Sequence, residues 1–303
     1  MIDLRLLQTL RVLNELGTVT ATAQALHLSP SAVSAQLRQL AQQAGVEPLR
    51  QDGRRLRLTP AGLVLLHHAD VLCNQWERAR AELSEHSGEE HRTLRVIGFA
   101  TAIGSLLAPV AADLRRRTPP VRAYLTDADT RDGYRLLLTG DADIAVITPL
   151  PDSPPVDDPR FDQQPLLDDY LDLVVPEGHA LAGSGGPVDL GAAATEPWIA
   201  PHHDQARLIE VLCGAAGFAP HTEHHADDWS GVLVMIGHGL GVCLVPRLVP
   251  LAAGLVRVPV RGTPPPYRRV LTCVRRDSDA QPAIAAGLAA LRTRSAALTG
   301  DGA

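Results

Sequence analysis

The sequence predicts three parts: a small helical head, one long helix, and an α/β body of two lobes. Apolar residues recur at helical spacing through residues 1–45 and again from Pro60 to Leu83. From Leu94 onward, short apolar strands alternate with helices, an order typical of a parallel sheet covered by helices. Two proline-rich passages, 149–159 and 262–266, interrupt the body. We therefore expect two lobes between which the chain crosses twice.

The first three predicted elements are short helices. The first carries Leu4, Leu7, Leu10 and Leu13 at helical spacing and stops at Gly17. Thr20 is predicted to cap the second helix, whose inward residues are Ala23, Ala25 and Leu26. Ser29 is predicted to cap the third, which starts at Pro30, since serine and proline favour those two positions.

The third helix has two distinct faces. Its predicted buried stripe is Val33, Leu37 and Leu40. The other side presents small and polar residues, and a capped helix crossed by a short helix is how a recognition helix enters the major groove of DNA. Small side chains let the backbone approach the bases, and polar ones read base edges or hold phosphates.

A small wing follows this helix. In GRRLRLTPAG, residues 53–62, Leu56 and Leu58 alternate with Arg55 and Arg57, which predicts a strand whose arginines bind phosphates. Residues 1–62 are thus predicted to be a winged helix-turn-helix domain. Its candidate DNA contacts are Thr22, Ser29, Pro30, Ser31, Ser34, Ala35, Arg38, Arg54 and Arg55.

The long helix begins at Pro60. It carries an apolar seam at alternating spacings of four and three, formed by Leu65, Ala69, Leu72, Trp76, Ala79 and Leu83. Residues 63–91 are therefore interpreted as a linker that dimerises with a second copy and ends in a polar hinge, SEHSGEEH, at 84–91. The alternative is an amphipathic helix packed on its own domain.

The body, residues 92–303, alternates strands and helices. Its predicted strands are 94–98, 121–125, 143–147, 171–181, 197–201, 221–225, 241–246 and 268–276; its main helices are 105–117, 204–216, 229–237 and 283–292. Lobe I is expected to comprise 92–160 and 268–295, and lobe II 161–267. Ligands of α/β sheets bind at the carboxyl ends of strands, so a cleft between the lobes is the expected ligand site.

Composition limits the protein class. The chain has 303 residues, 45% hydrophobic and 20% charged, enough for about two globular domains. It shows neither an apolar run of about 18 residues nor a signal-peptide pattern, so we expect a cytoplasmic protein without a membrane span.

All 28 basic residues are arginine, which excludes lysine Schiff bases and the P-loop. Seven arginines and four acids give residues 1–62 a charge of +3, so the remainder carries −9 because the whole chain carries −6. A basic head on an acidic body is typical of a DNA-binding module joined to a sensor.

Neither catalysis nor metal binding is expected, and no cofactor. There is no GxSxG elbow and no serine or cysteine with an obvious neighbouring base. The four cysteines form no CxxC and are interpreted as apolar fillers, with a redox-sensing pair as the alternative: Cys73, Cys213, Cys243 and Cys273. Four histidines lie near Asp227 and Asp228, but no HExxH occurs and HxxHH on a strand does not converge: His221, His224, His225 and His238.

Residues 22–62, from TAQALHLSPSAVSAQLRQLAQQAG to GRRLRLTPAG, resemble the LysR-type regulator family. The resemblance continues more weakly at GDADIAV (140–146), LVVPEGHALA (173–182) and GHGLGVCLVP (237–246). It implies a periplasmic-binding-protein-like sensor for small metabolites behind the winged helix-turn-helix. It also implies binding to double-stranded promoter DNA as a homodimer or homotetramer, with RNA polymerase affected indirectly.

Two departures concern the head. Where the family usually has a Leu-Phe pair and then an arginine, this chain has Pro48, Leu49, Arg50 and Gln51. The absence of the aromatic weakens packing beneath the wing. Gln51 stands in place of a cation, and whether the neighbouring Arg50 binds that phosphate instead stays open. Ala35 stands where a larger polar residue is usual, so its base contact would be apolar, such as to a thymine methyl.

The resemblance also indicates effector contacts. In this family the loop after the first body strand lines the effector cleft, which implicates Thr101 and Ala102, although Thr101 could simply cap a helix. Other predicted strand ends contribute further candidates: Thr126, Asp127, Pro201, His202, His203 and Asp227.

The sequence therefore predicts a DNA-binding transcriptional regulator. A small molecule between the lobes would shift the population of arrangements and thereby alter the spacing of the DNA-binding heads. The alternative is a small-solute receptor, which would account for residues 94–295 and leave 1–62 unexplained. An enzyme would need a catalytic constellation that the sequence does not show.

Overall fold

The computed structural model describes residues 3–52, 55–84, 93–183, 185–201 and 203–300. By its internal contacts the chain divides into two compact units: unit 1 is Met1–Leu166 with Leu271–Ala303, and unit 2 is Leu167–Val270. Arg54, His202 and residues 85–91 of the predicted hinge lie outside the described residues. No described helix is long and apolar enough to span a membrane.

The head, residues 3–62, starts with three helices: α1 (Leu4–Leu16), α2 (Val19–Ala25) and α3 (Pro30–Ala44). Gly17 ends α1 with φ 70°, a left-handed conformation that favours glycine. The Ser29 hydroxyl accepts from the Ala32 amide at 3.1 Å, so the predicted cap of α3 is confirmed. The predicted Thr20 cap is wrong: Thr18 has the extended backbone that a cap needs and accepts from the Ala21 amide, whereas Thr20 already lies in the first turn of α2.

A wing and a long helix complete this end of the chain. Strands β1 (Leu49–Asp52) and β2 (Arg55–Leu58) pair antiparallel, and α4 (Pro60–Ser84) follows. Thr59 caps α4, accepting from the Gly62 amide at 3.0 Å while donating to the Glu47 carbonyl. A Cβ at position 62 would lie 2.0 Å from the Pro48 carbonyl oxygen, so only glycine allows the wing to approach the helix this closely.

The predicted seam of α4 divides into two parts. Leu65 and Ala69 pack into the core of the head, beside the leucines of α1 and α3. Leu72, Trp76 and Leu83 stay exposed, at 47%, 49% and 57% of their surface. Part of the seam thus packs within the head, as in the alternative, and part is exposed.

The remaining elements form the α/β body. The helices are α5 (Ala100–Ala102), a π-helical turn (Ile103–Leu107), α6 (Ala108–Arg116), α7 (Thr130–Thr139), α8 (His203–Ala215), α9 (Trp229–Gly237) and α10 (Pro282–Gly300). The strands are β3 (Thr93–Gly98), β4 (Arg122–Asp127), β5 (Ile144–Ile147), β6 (Phe161–Pro176), β7 (Pro197–Ala200), β8 (His221–His225), β9 (Cys243–Pro246), β10 (Leu255–Val258) and β11 (Tyr267–Arg275).

The sheets are mixed, which corrects the expectation of a parallel sheet. In unit 1, β3 pairs parallel with β4 and β5, but β11 runs antiparallel to β5. In unit 2, β7 and β8 are parallel, while β6 pairs antiparallel with β9 and β10. The chain leaves unit 1 within β6 and re-enters it within β11, and both of these strands form antiparallel pairs.

Each unit has its own core. In unit 1, Leu94, Leu106, Leu114 and Ile144 are buried beneath the helices of the sheet. In unit 2 the core centres on Trp198, whose indole N–H donates to the Ala193 carbonyl at 3.0 Å. The cores hold the carboxyl ends of the strands in place, and the candidate ligand residues lie there.

Candidate DNA interface and effector site

The outward face of α3 presents small and polar side chains. Ser29, Ser31, Ala35 and Arg38 are exposed and Ser34 is half-buried, whereas Val33, Leu37 and Leu40 are buried in the head. The Ser29 and Ser31 hydroxyls lie 2.9 Å apart, and Ser34 donates to the Pro30 carbonyl. These bonds fix the first turn, and Pro30 pre-sets its backbone. The result is a rigid helix end with little bulk between its backbone and the solvent.

Thr22 differs from the other candidates. Its side chain is fully buried, and its hydroxyl donates to the Thr18 carbonyl at 2.8 Å within α2. A buried hydroxyl cannot reach a phosphate, so the structure corrects the sequence-based candidate. The side chains of Arg54 and Arg55 lie outside the described part of the structure.

The wing has a charged face and an apolar face. Arg50 is paired with Arg57 in the β1–β2 register, and Gln51 with Leu56. Because side chains alternate along a strand, Arg50 and Arg57 share one face, while Gln51 lies on the face of Leu56 and Leu58. Arg57 is also held by Asp52 at 2.6 Å. Arg50 therefore cannot occupy the place of a side chain at position 51, and its charge belongs to the opposite face.

A cavity of about 620 Å³ lies between α3 and the wing. Leu37, Arg38, Leu49 and Leu56 are among the residues that line it. Leu49 stands where an aromatic is usual in the resembling family, so a shorter side chain here fits the open space beneath the wing.

Four effector candidates meet at one edge of unit 1. Strands β3 and β4 are parallel and in register, with Ile97 opposite Thr126 and Gly98 opposite Asp127. The Ala128 amide donates to the Gly98 carbonyl at 3.2 Å, which holds the two strand ends together. Thr101 and Ala102 follow in α5, directly after β3. Thr126 and Asp127 are exposed, Thr101 is half-buried and Ala102 is buried.

Unit 2 shows a corresponding edge of its own. Strands β7 and β8 are parallel, and the Ala226 amide donates to the Ala200 carbonyl at 3.0 Å. Pro201 follows β7 and is buried, and Asp227 follows β8 and is exposed. The side chains of His202 and His203 lie outside the described part of the structure.

Two residues that the sequence reasoning missed carry buried polar atoms at these edges. Thr148 follows β5, and its Oγ1 is buried with no hydrogen-bond partner among the described residues. Gln205 lies in the first turn of α8, after β7, and its Oε1 is likewise buried with no hydrogen-bond partner among the described residues. Such groups usually find a partner, since leaving one unsatisfied costs about 1–3 kcal/mol. The signal was present for Thr148, because it directly follows the third predicted parallel strand.

Two observations in the described residues concern metal binding and thiol reactivity. No group of three or more His, Cys, Asp or Glu side chains is placed there to hold a metal ion. All four cysteines are free, and burial raises the thiol pKa of each, that of Cys213 to about 11. A raised pKa keeps a thiol protonated and weakly nucleophilic near neutral pH.

Fold and site together define a two-domain protein that joins a winged helix-turn-helix to an α/β ligand-binding body. A family model described as "Bacterial regulatory helix-turn-helix protein, lysR family" matches residues 4–63, and one described as "LysR substrate binding domain" matches residues 87–296. The chain therefore belongs to the LysR family of bacterial DNA-binding transcriptional regulators.

Individual proteins agree with this assignment. The chain is 25% identical over 229 residues to the transcriptional regulator AlsR of Bacillus subtilis, covering 74% of either chain. It is 28% identical over 251 residues to the regulator CatR of Pseudomonas putida, covering 82% of this chain and 83% of that one. The solved structure of full-length CbnR with its target DNA has a TM-score of 0.57 at 20% identity, over 97% of this chain and all of that one. These relatives are regulators, so the chain is a regulator with an effector-binding domain rather than an enzyme or a receptor without a transcriptional role.

Proposed function

We propose that this chain reads promoter DNA with the first two turns of α3. The observation that carries the proposal is the serine-capped α3, whose exposed Ser31, Ala35 and Arg38 lie at helical spacing opposite a buried stripe. Ser29, Pro30 and Ser34 also contact DNA in the major groove. Phosphates are bound by the arginines of the wing, Arg54, Arg55 and Arg57. The solved complex of CbnR with its target DNA supports a DNA-bound role for this fold.

The test uses duplexes selected from a random library by the full chain. Arg55→Ala should weaken binding to selected and scrambled duplexes alike and reduce the slope of log K against log salt by about 0.9, the share of one phosphate. Ser34→Ala should act mainly on the selected duplex. Arg5→Ala is the control, because Arg5 is an exposed arginine of the head that is paired with Asp3 on α1. If the wild-type chain binds selected and scrambled duplexes equally well at both low and moderate salt, the proposal is wrong.

We also propose that α4 joins two copies of the chain. Leu72, Trp76 and Leu83 leave an exposed apolar strip on a 25-residue helix, and such a strip is stabilised by a second copy of itself. Trp76→Glu should lower the molar mass of the assembly in light scattering, whereas Val156→Glu, at a valine that is more exposed than Trp76, should not. The two-head assembly acts on RNA polymerase indirectly, through the DNA it holds, in the cytoplasm where bacterial DNA lies.

We propose that the small-molecule effector is held at the strand ends: Thr101, Ala102, Thr126, Asp127 and Thr148 in unit 1, and Pro201, His202, His203, Gln205 and Asp227 in unit 2. The described groups there are hydroxyls, an amide oxygen and carboxylates, and Arg131, the arginine next in sequence to the edge of unit 1, is paired with Asp152 at 3.1 Å. This set favours an effector that donates hydrogen bonds, such as a hydroxylated or cationic metabolite.

A thermal-shift screen of metabolites on the full chain tests this part of the proposal. A ligand that binds only the folded state raises its stability with concentration. Thr148→Val should reduce the shift by removing the buried hydroxyl at unchanged volume. Thr293→Val, on the exposed side of α10, is the matched control. An undiminished shift in Thr148→Val would exclude Thr148 from the site.

A further inference from the structure

The head of this chain packs directly against the body of unit 1, residues 93–166 and 271–300. Val12 of α1 and Ala25 of α2 are buried in one apolar cluster with Tyr134 and Leu137 of α7 and with Phe161. A separate cluster within the head contains four leucines of α1 and both leucines of α3: Leu6, Leu7, Leu10, Leu13, Leu37 and Leu40. The contact is therefore an extra apolar seam and not part of the core that folds the head.

Polar contacts border this seam. The Gln8 side-chain amide donates to the Thr139 carbonyl at the end of α7 at 3.0 Å. Glu15 accepts from Arg160 at 2.7 Å, and Arg160 is also bound to Asp158 at 2.9 Å. Burial opposes the charge of Arg160, but the two carboxylates outweigh it and raise the pKa of the guanidinium. Arg160 therefore keeps its positive charge and donates charge-assisted hydrogen bonds to both side chains.

The same end of α7 is tied to the long helix. Arg275 donates to the Leu137 and Ala142 carbonyls and forms an ion pair with Glu77 of α4 at 2.9 Å. Glu77 also accepts from the Gln281 amide at 2.7 Å. The carboxyl end of α7 therefore contacts α1 directly and is joined to α4 through the Arg275 side chain.

The amino end of α7 lies at the candidate effector edge. Asp129 caps it, accepting from the Asp132 amide at 2.8 Å. The Thr130 hydroxyl, in the first turn of α7, donates to the Thr148 carbonyl at 2.8 Å. The amino end of α7 is thus bound to Thr148, whose own hydroxyl is buried without a described partner. Between its ends α7 lies tightly on the sheet, since a Cβ at Gly133 would come within 3.0 Å of Ile147. A ten-residue helix spans about 15 Å.

We propose that α7 is a coupling helix, which links the occupancy of the effector edge of unit 1 to the orientation of the DNA-binding head within one chain. This inference rests on the proposed function. A ligand that binds Thr148 alters the seat of the amino end of α7, and a tightly packed helix moves as a unit. The head then shifts at the Val12, Gln8 and Glu15 contacts, while the exposed face of α3 stays free for DNA.

The test is a double-mutant cycle on the Kd for a selected duplex, using the full chain. Asp129→Ala removes the cap of α7 at the effector edge, and Gln8→Ala removes the amide that donates to the Thr139 carbonyl at the other end of α7. These two contacts lie at opposite ends of α7, and distant independent sites combine multiplicatively in Kd, within about twofold. We expect the double variant to depart from the product of the single effects by at least about threefold. Asp129→Ala with Glu82→Gln, an exposed glutamate of α4, should combine multiplicatively. Multiplicative behaviour of both pairs would overturn the proposal.

Hydrogen exchange supplies a second measurement, which needs no variant of α7. Addition of the selected duplex to the wild-type chain should change amide exchange in residues 130–139, because coupling between two sites is reciprocal. Glu15→Gln should reduce that change at least twofold, and Glu82→Gln should not; unchanged exchange in the wild type would overturn the proposal.

A failure of the proposed function would be visible separately. The wild type would then bind selected and scrambled duplexes equally, and the contact itself could still be tested without DNA. In that case Glu15→Gln should raise exchange in both α1 and α7 relative to Glu82→Gln. Equal exchange in the two variants would show that the head is not held by this seam.

Discussion

Arg275→Met is expected to destabilise unit 1 by about 3 kcal/mol. Arg275 binds Glu77 at 2.9 Å and Asp143 at 3.4 Å, and the side chains of all three are about 10% exposed. Removal of one partner from a buried ion pair costs roughly 3–5 kcal/mol, because a charge is left buried without compensation. In the variant, Glu77 would keep its hydrogen bond from Gln281, and Asp143 would keep its hydrogen bonds from Arg95. The lower end of that range therefore applies.

The assay is urea denaturation with calorimetry on the full chain. For a unit of about 200 residues, 3 kcal/mol corresponds to a fall in Tm of about 6–12 °C. Arg292→Met, at an exposed arginine of α10, should stay within about 0.5 kcal/mol of the wild type. A loss below about 1 kcal/mol in Arg275→Met would refute the reasoning, since the ion network would then contribute little to holding α4 on the body.

Three further predictions follow from burial and charge. Leu49→Phe should fill part of the cavity beneath the wing and stabilise the chain by about 1 kcal/mol in urea denaturation; a lower midpoint would show that the space closes in solution. Burial raises the pKa of Asp143 and Asp158, but hydrogen bonds from Arg95 and Arg160, respectively, outweigh it and lower both values below the ordinary 3.8. The stability from these carboxylates is therefore complete above about pH 4 and is lost as pH falls through the depressed values; an acid titration that is unchanged in Asp143→Asn would contradict this. Cys213, with its pKa raised to about 11, should react with iodoacetamide much more slowly in the native chain than in urea, and equal rates would contradict its burial.

Local signals in the sequence predicted the head well. A capped proline start, a glycine stop and two leucine stripes specify α1 and α3 without reference to the rest of the chain. The cap of α2 was missed because Thr18 and Thr20 are chemically equivalent. Only the extended backbone after Gly17 distinguishes them, and that follows from where α1 ends.

Strand β6 shows where pattern reasoning fails. The predicted strand begins at residue 171, whereas β6 begins at Phe161, and the ten residues that the prediction left out include Pro165 and three aspartates. Asp169 is nevertheless almost fully buried, with Arg268 at 2.8 Å, and burial raises the pKa of the aspartate while lowering that of the arginine. A buried ion pair removes the apolar alternation by which strands are recognised, and its partner lies 99 residues away.

The candidate effector edge was predictable in kind but not in full. Parallel strands place their carboxyl ends together, so Thr126 and Asp127 were found from the strand pattern. The burial of the Thr148 hydroxyl without a described partner depends on how β5 and α7 pack, which no local pattern encodes. The seam between head and body was equally hidden, because Glu15 and Arg160 are 145 residues apart.

Helix α4 brings the three proposed contacts of this regulator onto one element. In its first half, Ala69 packs into the head and Asp70 binds Arg11 of α1 at 2.6 Å. Two turns later Glu77 binds the body through Arg275, and between them Leu72 and Trp76 point to solvent. A second copy seated on Leu72 and Trp76 would thus contact a helix already fixed to the head at one end and to the body at the other. A packed helix moves as a unit, so a proposed contact between copies at Leu72 and Trp76 would be coupled through α4 to both the head and the body.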